Sequence, residues 1–300
     1  MSRSAQITVL CDNVERDLKL AGLPVDGSST DGLEYSSLKQ MWLSQLGLPR
    51  PATLVCACAT CDLPVERDNG EGLPAQPARA GLASWYEKAY DYWEDGRNCG
   101  LNEDGVLGGY GHISPTDIAG SASFLDDLAK VRPNLGQEKA ADCGAGIGRI
   151  TKHLLLKRFD LVNLVEQSPR LLRAAPKYIG RERDRTECLC LGLQDFMPEQ
   201  ASYDLFWVQW VVGHFTDVDL LRFINRCRVA LKPGGLIVIK DNVCGEGDRA
   251  FVLDNEDSSM TRSLGYFRSL FNHGGIKVVH EQSQEGFPSD IFPVHMFALE

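Results

Sequence analysis

The sequence predicts an α/β protein built on a doubly wound, Rossmann-like parallel sheet that closes with an antiparallel hairpin. Three observations predict it. From residue 139 onward, short apolar runs alternate with amphipathic stretches of helical period, the pattern of consecutive βαβ units. One junction, Asp142-Cys-Gly-Ala-Gly-Ile-Gly148, sets three glycines between a buried strand and a helix. Glycine reaches positive φ cheaply and lets a ligand approach the backbone, so this turn is where a nucleotide-like ligand is expected. After the last helix come two more strand-like runs, 276–280 and 291–298, parted by the polar segment 282–290.

Composition bounds the rest. Three hundred residues, 43% of them apolar, make one large domain or a domain with an appendage. We divide the chain into an N-terminal extension, 1–81, and a main domain, 82–300. The net charge of −10 argues against a nucleic-acid groove and suits a cationic partner. Ten scattered cysteines with no signal peptide read as reduced thiols in the cytoplasm or nucleus. The first residues are too acidic for a transit peptide, and the apolar run at 52–60 is far too short to cross a bilayer. A monomer without membrane attachment is expected.

In order along the chain, residues 1–31 are rich in turn formers and expected to be poorly ordered. Leu38, Met41, Trp42 and Leu46 mark one amphipathic helix within 31–47, ending at Gly47. Residues 49–81 form a Pro-, Gly- and Ala-rich insertion. Its Cys56, Cys58 and Cys61 lack paired CxxC spacing and a nearby histidine, so no metal is expected. The next helix is crowded by Trp85, Tyr86, Tyr90, Tyr92 and Trp93. Asp104-Gly-Val-Leu-Gly-Gly-Tyr-Gly-His-Ile113 reads as a binding loop. A helix follows with Ser114 as N-cap, Pro115 in its first turn and Asp117 at the capping-box position. Five strands, the first from about 139 into the glycine turn and the others near 161–165, 186–191, 203–208 and 236–240, then alternate with helices, one of them capped by Thr216.

A Gly-x-Gly-x-Gly turn alone fits a dehydrogenase pyrophosphate equally well. Asp142, just before the glycines, would repel phosphate but suits a cationic amino-acid head group. Glu166 ends the second strand twenty residues beyond Gly146, where it can accept from a ribose diol. Together they favour S-adenosylmethionine, and the terminal hairpin fits a class I methyltransferase sheet. Gly192-Leu-Gln-Asp-Phe196, after the third strand, is where an adenine edge would be read.

These residues, with Tyr92-Trp93, the 104–114 loop, Trp207-Val-Gln-Trp-Val-Val-Gly-His-Phe-Thr216, Ile239-Lys-Asp-Asn242 and Val252-Leu-Asp-Asn-Glu-Asp257, resemble the eukaryotic protein α-N-terminal methyltransferases that act on Xaa-Pro-Lys termini. The resemblance covers roughly 82–300, and 31–47 looks like the N-terminal helix of plant-type members. It implies methyl transfer from S-adenosylmethionine to the free α-amine of such proteins. It implies that Asp142, Gly144, Gly146, Arg149, Glu166, Gln167, Ser168, Gly192, Leu193, Gln194 and Gln209 hold the methyl donor. Tyr92, Trp93, Leu107, Ile113, Trp210, Asp254 and Ser259 would line the peptide channel, and Asp257, His214 and Asn242 would carry the chemistry. Phe292 stands where animal members usually have tyrosine, so this chain lacks that hydroxyl for a peptide contact. The longer loop at 244–250 and the 49–81 insertion are further departures.

The chemistry explains the residue types. The attacking nitrogen must present a lone pair, and an α-amine with a pKa near ~8 needs only a modest base. Asp257 can take or relay the proton, and His214 is the alternative. Asn242 can hold a backbone carbonyl beside the terminal nitrogen, and Trp93 and Trp210 offer flat walls to a proline ring or a methylated amine. The competing readings are a methyltransferase of lysine side chains or small amines, and a non-catalytic scaffold that binds S-adenosylmethionine.

Overall fold

The computed structural model describes residues 3–47, 77–245 and 249–300. Cys56, Cys58, Cys61 and most of the 49–81 insertion lie outside these residues.

The main sheet has the predicted plan. Strands β3 (Lys139–Cys143), β4 (Leu161–Glu166), β5 (Thr186–Cys190), β6 (Tyr203–Gln209) and β7 (Leu231–Cys244) are parallel, in the order β5-β4-β3-β6-β7. The hairpin β10 (Val278–Ser283) and β11 (Val294–Leu299) closes it, with β11 antiparallel to β7. Every residue of β6 is buried, as expected of a strand covered by helices on both faces. The helices are α5 (Ser114–Val131), α6 (Arg149–His153), α7 (Pro169–Ile179), α8 (Asp217–Ala230) and α9 (Leu264–His273). Among the described residues, no helix is long and apolar enough to cross a membrane.

The N-terminal extension departs from the sequence expectation. Instead of poor order, residues 3–20 form helix α1 (Arg3–Leu20), followed by the short strands β1 (Gly27–Ser29) and β2 (Glu34–Tyr35). Among the described residues before 48 there are therefore two helices rather than one. The second, α2 (Leu38–Gln45), is shorter than 31–47 and is capped by the Ser37 side chain, which accepts from the Gln40 amide. The α1 stripe of Ile7, Cys11, Val14 and Leu18 is buried in the same core as Phe223, Phe267 and Phe271. Burial of Ile7, Val14 and Leu18 stabilises the arrangement by about 1.5–3 kcal/mol each, before the entropy of ordering the helix is subtracted.

A second small sheet was also not foreseen. Strands β8 (Phe251–Asp254) and β9 (Ser259–Ser263) form an antiparallel pair, and β1 adds to β8 in parallel. Strand β7 serves both sheets, because its last residues, Val243 and Cys244, pair with Arg262 and Ser263 of β9.

The start of α5 is a further correction. A 3₁₀ turn, Gly111–Ile113, runs straight into the helix, so Ile113 occupies the N-cap and no side chain caps it. Ser114 and Asp117 turn instead toward Arg149.

Candidate active site

The glycine turn sits at the carboxyl end of β3. Gly144, Gly146 and Gly148 have φ of +76°, +55° and +82°, values that L side chains rarely adopt. The turn is tied down from two sides. Asp142 Oδ2 accepts from the amide and hydroxyl of Thr151 at 2.9 and 2.7 Å, and Glu166 Oε2 accepts from the Gly146 amide at 2.9 Å. Burial pushes the Asp142 carboxyl up to about 6 and raises that of Glu166 above the usual range.

Above the turn opens a cavity of about 130 Å³. Its walls bring together most of the residues expected at the methyl donor: Asp142, Gly144, Gly146, Arg149, Glu166, Gln167, Leu193, Gln194 and Gln209. Two expected residues are elsewhere. Ser168 is fully buried as the N-cap of α7, accepting from the Leu171 amide, and so serves the helix rather than the cavity. Gly192 lies behind the side-chain amide of Gln194, which covers the position where a Cβ would project.

One wall is a buried ionic cluster. Asp117 pairs with Arg149 at 2.8 Å and with Lys240 at 2.5 Å, and it accepts from Gln209 Nε2 at 2.9 and 3.0 Å. Burial works to raise the Asp117 carboxyl, but the charges of Lys240 and Arg149 overcome it and hold it below the usual range. The Gln209 orientation is fixed, because its Oε1 accepts from the Trp207 indole, a group that only donates.

The far end of the cavity is aromatic: Tyr86, Trp93, Trp210, His214 and Phe215. Trp93 Nε1 donates to His214 Nε2 at 3.0 Å. Since an indole N–H cannot accept, Nε2 carries the lone pair and Nδ1 the hydrogen, which it donates to the Ser258 carbonyl at 3.2 Å. Trp210 donates to Asn242 Oδ1 at 3.1 Å and packs beside Phe287, while the Arg149 guanidinium lies 5.6 Å from its ring. Trp210 and Ser258 adopt φ of +52° and +53°, unfavourable for residues with a Cβ.

Behind this aromatic end lies the turn between β8 and β9. Asp257 is held there with Oδ1 buried and without a hydrogen-bond partner. Burial raises its carboxyl above the usual range, His214 and the Ser259 hydroxyl oppose the rise, and Asp254 adds to it. Tyr92 faces the same turn. Its hydroxyl is raised by burial and then by the charges of Asp257, Glu256 and Asp254. Asn242, Asp254, Asp257, Ser259 and Tyr92 thus gather just outside the cavity wall, linked to it through Trp210, His214 and Trp93.

Leu107 and Ile113 are buried but do not reach the cavity; Val106 of the same loop does, against Gly146. Leu107 follows the one-turn helix α4 (Glu103–Val106), and Ile113 caps α5. Several wall residues were missed by sequence reasoning, among them Tyr86, Ala89, Val106 and Phe215. The spacing of Tyr86, Ala89 and Trp93 along helix α3 (Pro77–Glu94) was the available signal for the first two.

Residues 82–300 match the family of AdoMet-dependent proline di-methyltransferases. The chain belongs to this family. It is an S-adenosylmethionine-dependent methyltransferase with the class I fold. It is similar to the rat N-terminal Xaa-Pro-Lys N-methyltransferase 1, at 46% identity over 72% of this chain and 95% of that protein. It is also similar to the Arabidopsis thaliana α N-terminal protein methyltransferase 1, at 37% identity over 92% of this chain and 91% of that protein. A solved S-adenosylmethionine-dependent methyltransferase from Leishmania major superposes with a TM-score of 0.74 at 34% identity, over 93% of this chain and 97% of that one.

The methyltransferase's cavity fits its donor on its own evidence. The glycine turn leaves backbone unshielded, and the cavity walls combine the polar Glu166, Gln167 and Gln194 with the apolar Val165, Leu171 and Leu193.

Proposed function

We infer that the methyltransferase modifies the free α-amino group of proteins whose N-terminus reads Xaa-Pro-Lys. One observation carries this reading beyond family membership: the buried Asp257 carboxylate oxygen, unpartnered, beside an aromatic end formed by Trp93, Trp210 and His214. A buried unpaired carboxylate oxygen is costly, and an incoming amine would satisfy it.

When bound, S-adenosylmethionine supplies an electrophilic methyl group. Leu193 and Gln194 would hold its base, Glu166 its ribose, and Asp142 and Arg149 its amino-acid end. Asp257 accepts the proton of the ammonium form and passes it to solvent, so that the regenerated carboxylate stabilises the positive charge growing on the neutral nitrogen during methyl transfer. His214 keeps its Nε2 lone pair on Trp93, and so it positions the indole and the Ser258 carbonyl, leaving Asp257 as the proton acceptor. Asn242, fixed by Trp210, is placed to donate its amide N–H to a backbone carbonyl of the acceptor peptide. Trp93 and Trp210 wall a proline ring. Asp254 and Glu256 supply negative charge for the third-position lysine. Cys11, Cys99, Cys143, Cys188, Cys190 and Cys227 form no disulfide, which suits the cytoplasm or nucleus.

The test is a pair of synthetic Xaa-Pro-Lys peptides, one with a free and one with an acetylated N-terminus, read by mass spectrometry. Methylation of the free peptide alone is expected. Methylation of the acetylated peptide would show a lysine side chain as the acceptor and overturn this reading.

A further inference from the structure

The family match begins at residue 82, yet residues 26–45 reach into the turn that carries Asp257. Strand β1 lies beside β8 in parallel register, with Gly27 opposite Phe251 and Ser29 opposite Leu253. The Ala250 amide donates to the Asp26 carbonyl at 2.7 Å, and the Thr30 amide donates to the Leu253 carbonyl at 2.8 Å. Gly27 is required there, since a Cβ would fall 2.6 Å from the Phe251 ring and carbonyl.

At the end of β8 the grip passes to one side chain. Asn255 Nδ2 donates to Asp31 Oδ2 at 2.9 Å, and Asn255 Oδ1 accepts from Gln45 Nε2 at 3.2 Å. Gln45 Nε2 lies 3.2 Å from the Tyr35 hydroxyl as well. Lys88, from α3, donates to the Asn255 carbonyl. Both ends of the Asn255 amide are therefore held by the extension, two residues before Asp257 and three before the left-handed Ser258. A turn that must hold a carboxylate with one unpartnered oxygen and a strained residue needs such external restraint.

We propose that residues 26–45 are a positioning element of the acceptor site, acting through the clasp of Asp31 and Gln45 on Asn255 to set the Asp257 carboxylate. The proposal rests on the reading that Asp257 meets the substrate amine. None of residues 26–45 lines the donor cavity, so the extension would serve the reaction through the Asp257 turn alone.

The experiment uses the full chain and a free-amine Xaa-Pro-Lys peptide. Asn255→Ala lowers kcat/KM for the peptide by about tenfold or more, as expected when a reacting group is loosened by a fraction of an ångström. The S-adenosylmethionine dissociation constant by calorimetry stays within about twofold of the starting value. Gln45→Ala gives a smaller loss in the same direction, and the double variant is no worse than Asn255→Ala alone, because both remove one clasp. Asp12→Ala, which removes an exposed ion pair from α1, outside residues 26–45, leaves activity unchanged. Unaltered kcat/KM in Asn255→Ala, strictly additive losses, or an equal loss of donor affinity each overturn the proposal. Asp257→Asn is measured in parallel. An inactive Asp257→Asn beside a fully active Asn255→Ala defeats only the clasp, whereas a fully active Asp257→Asn defeats the functional reading beneath it.

Discussion

Replacing Asp257 by asparagine keeps the shape of the side chain but removes its charge and its ability to take a proton. Two terms set the expected loss. An α-amine with a pKa near ~8 is about one-tenth neutral at pH 7, so losing the proton acceptor costs about tenfold there. In the transition state the nitrogen carries roughly half a unit charge. A carboxylate about 4 Å away at an effective dielectric of ~20 then stabilises it by about 2 kcal/mol, worth about thirtyfold. Together Asp257→Asn lowers kcat/KM by about 10²–10³-fold at pH 7. At pH 9 the amine is already neutral, the first term vanishes, and the loss shrinks to about thirtyfold. The assay is initial-rate mass spectrometry on a free-amine peptide at both pH values, with donor affinity measured by calorimetry. A loss that is the same at pH 7 and pH 9 refutes proton transfer to Asp257, and a loss below about threefold refutes its placement at the nitrogen.

Other perturbations follow from the same geometry. Gly144→Ala forces a side chain into φ +76° and sets its Cβ 2.9 Å from Val211. It should destabilise the fold by about 1–2 kcal/mol and weaken donor binding about tenfold, read by thermal melting and calorimetry. Asp217→Asn strips the charge that pairs with the fully buried Arg262 and accepts from Trp42 and Tyr266. It should cost about 3–5 kcal/mol, seen as a lower urea midpoint at constant slope. Asp142, raised from 3.8 to about 6 in the fold, contributes stability in full below 3.8 and loses it as pH rises through 6. Asp142→Asn should therefore gain stability relative to the parent by about 3 kcal/mol between pH 3.5 and pH 7.5, measured as a difference in urea midpoints.

The parts of this fold that are legible in sequence are those whose signal is local. Parallel strands buried on both faces read as continuous apolar runs, and the glycines of 144–148 announce a turn no other residue could make. Helix α1 carried a usable stripe in Ile7, Cys11, Val14 and Leu18. Val9 and Leu20, 48% and 80% exposed, blurred it by placing apolar side chains on the wrong face. Strand β1 had no signal at all: Gly-Ser-Ser is extended because β8 supplies its backbone partners. Ser114 looked like a helix cap because its real partner, Arg149, lies thirty-five residues away. For the same reason the donor half of the site, built on one turn and the strand ends around it, was mostly readable. The acceptor half joins α3, the 207–216 loop, the β8–β9 turn and the extension, and only packing reveals which of their residues meet.

Packing also explains how two strained residues persist beside the acceptor site. Trp210 and Ser258, each left-handed, cost about 1–3 kcal/mol apiece and require surroundings that over-determine them. Arg262 supplies much of that restraint. From β9 it donates to the Val212 carbonyl at 3.1 Å and the Phe215 carbonyl at 2.9 Å, while Asp217 neutralises it. One buried guanidinium thus holds the His214 loop, and its own strand carries the Asp257 turn. Between them, His214 Nδ1 closes the gap onto the Ser258 carbonyl. The two loops that must present Trp210 and Asp257 to one nitrogen are therefore fixed to each other rather than separately to the sheet. It follows that Asp217→Asn should depress kcat/KM for peptide even under conditions where the variant is fully folded, while donor affinity at the glycine turn is spared. A variant that is merely less stable, with native kinetics below its melting temperature, would show that Arg262 supports the fold alone and that the strain at Trp210 and Ser258 is held elsewhere.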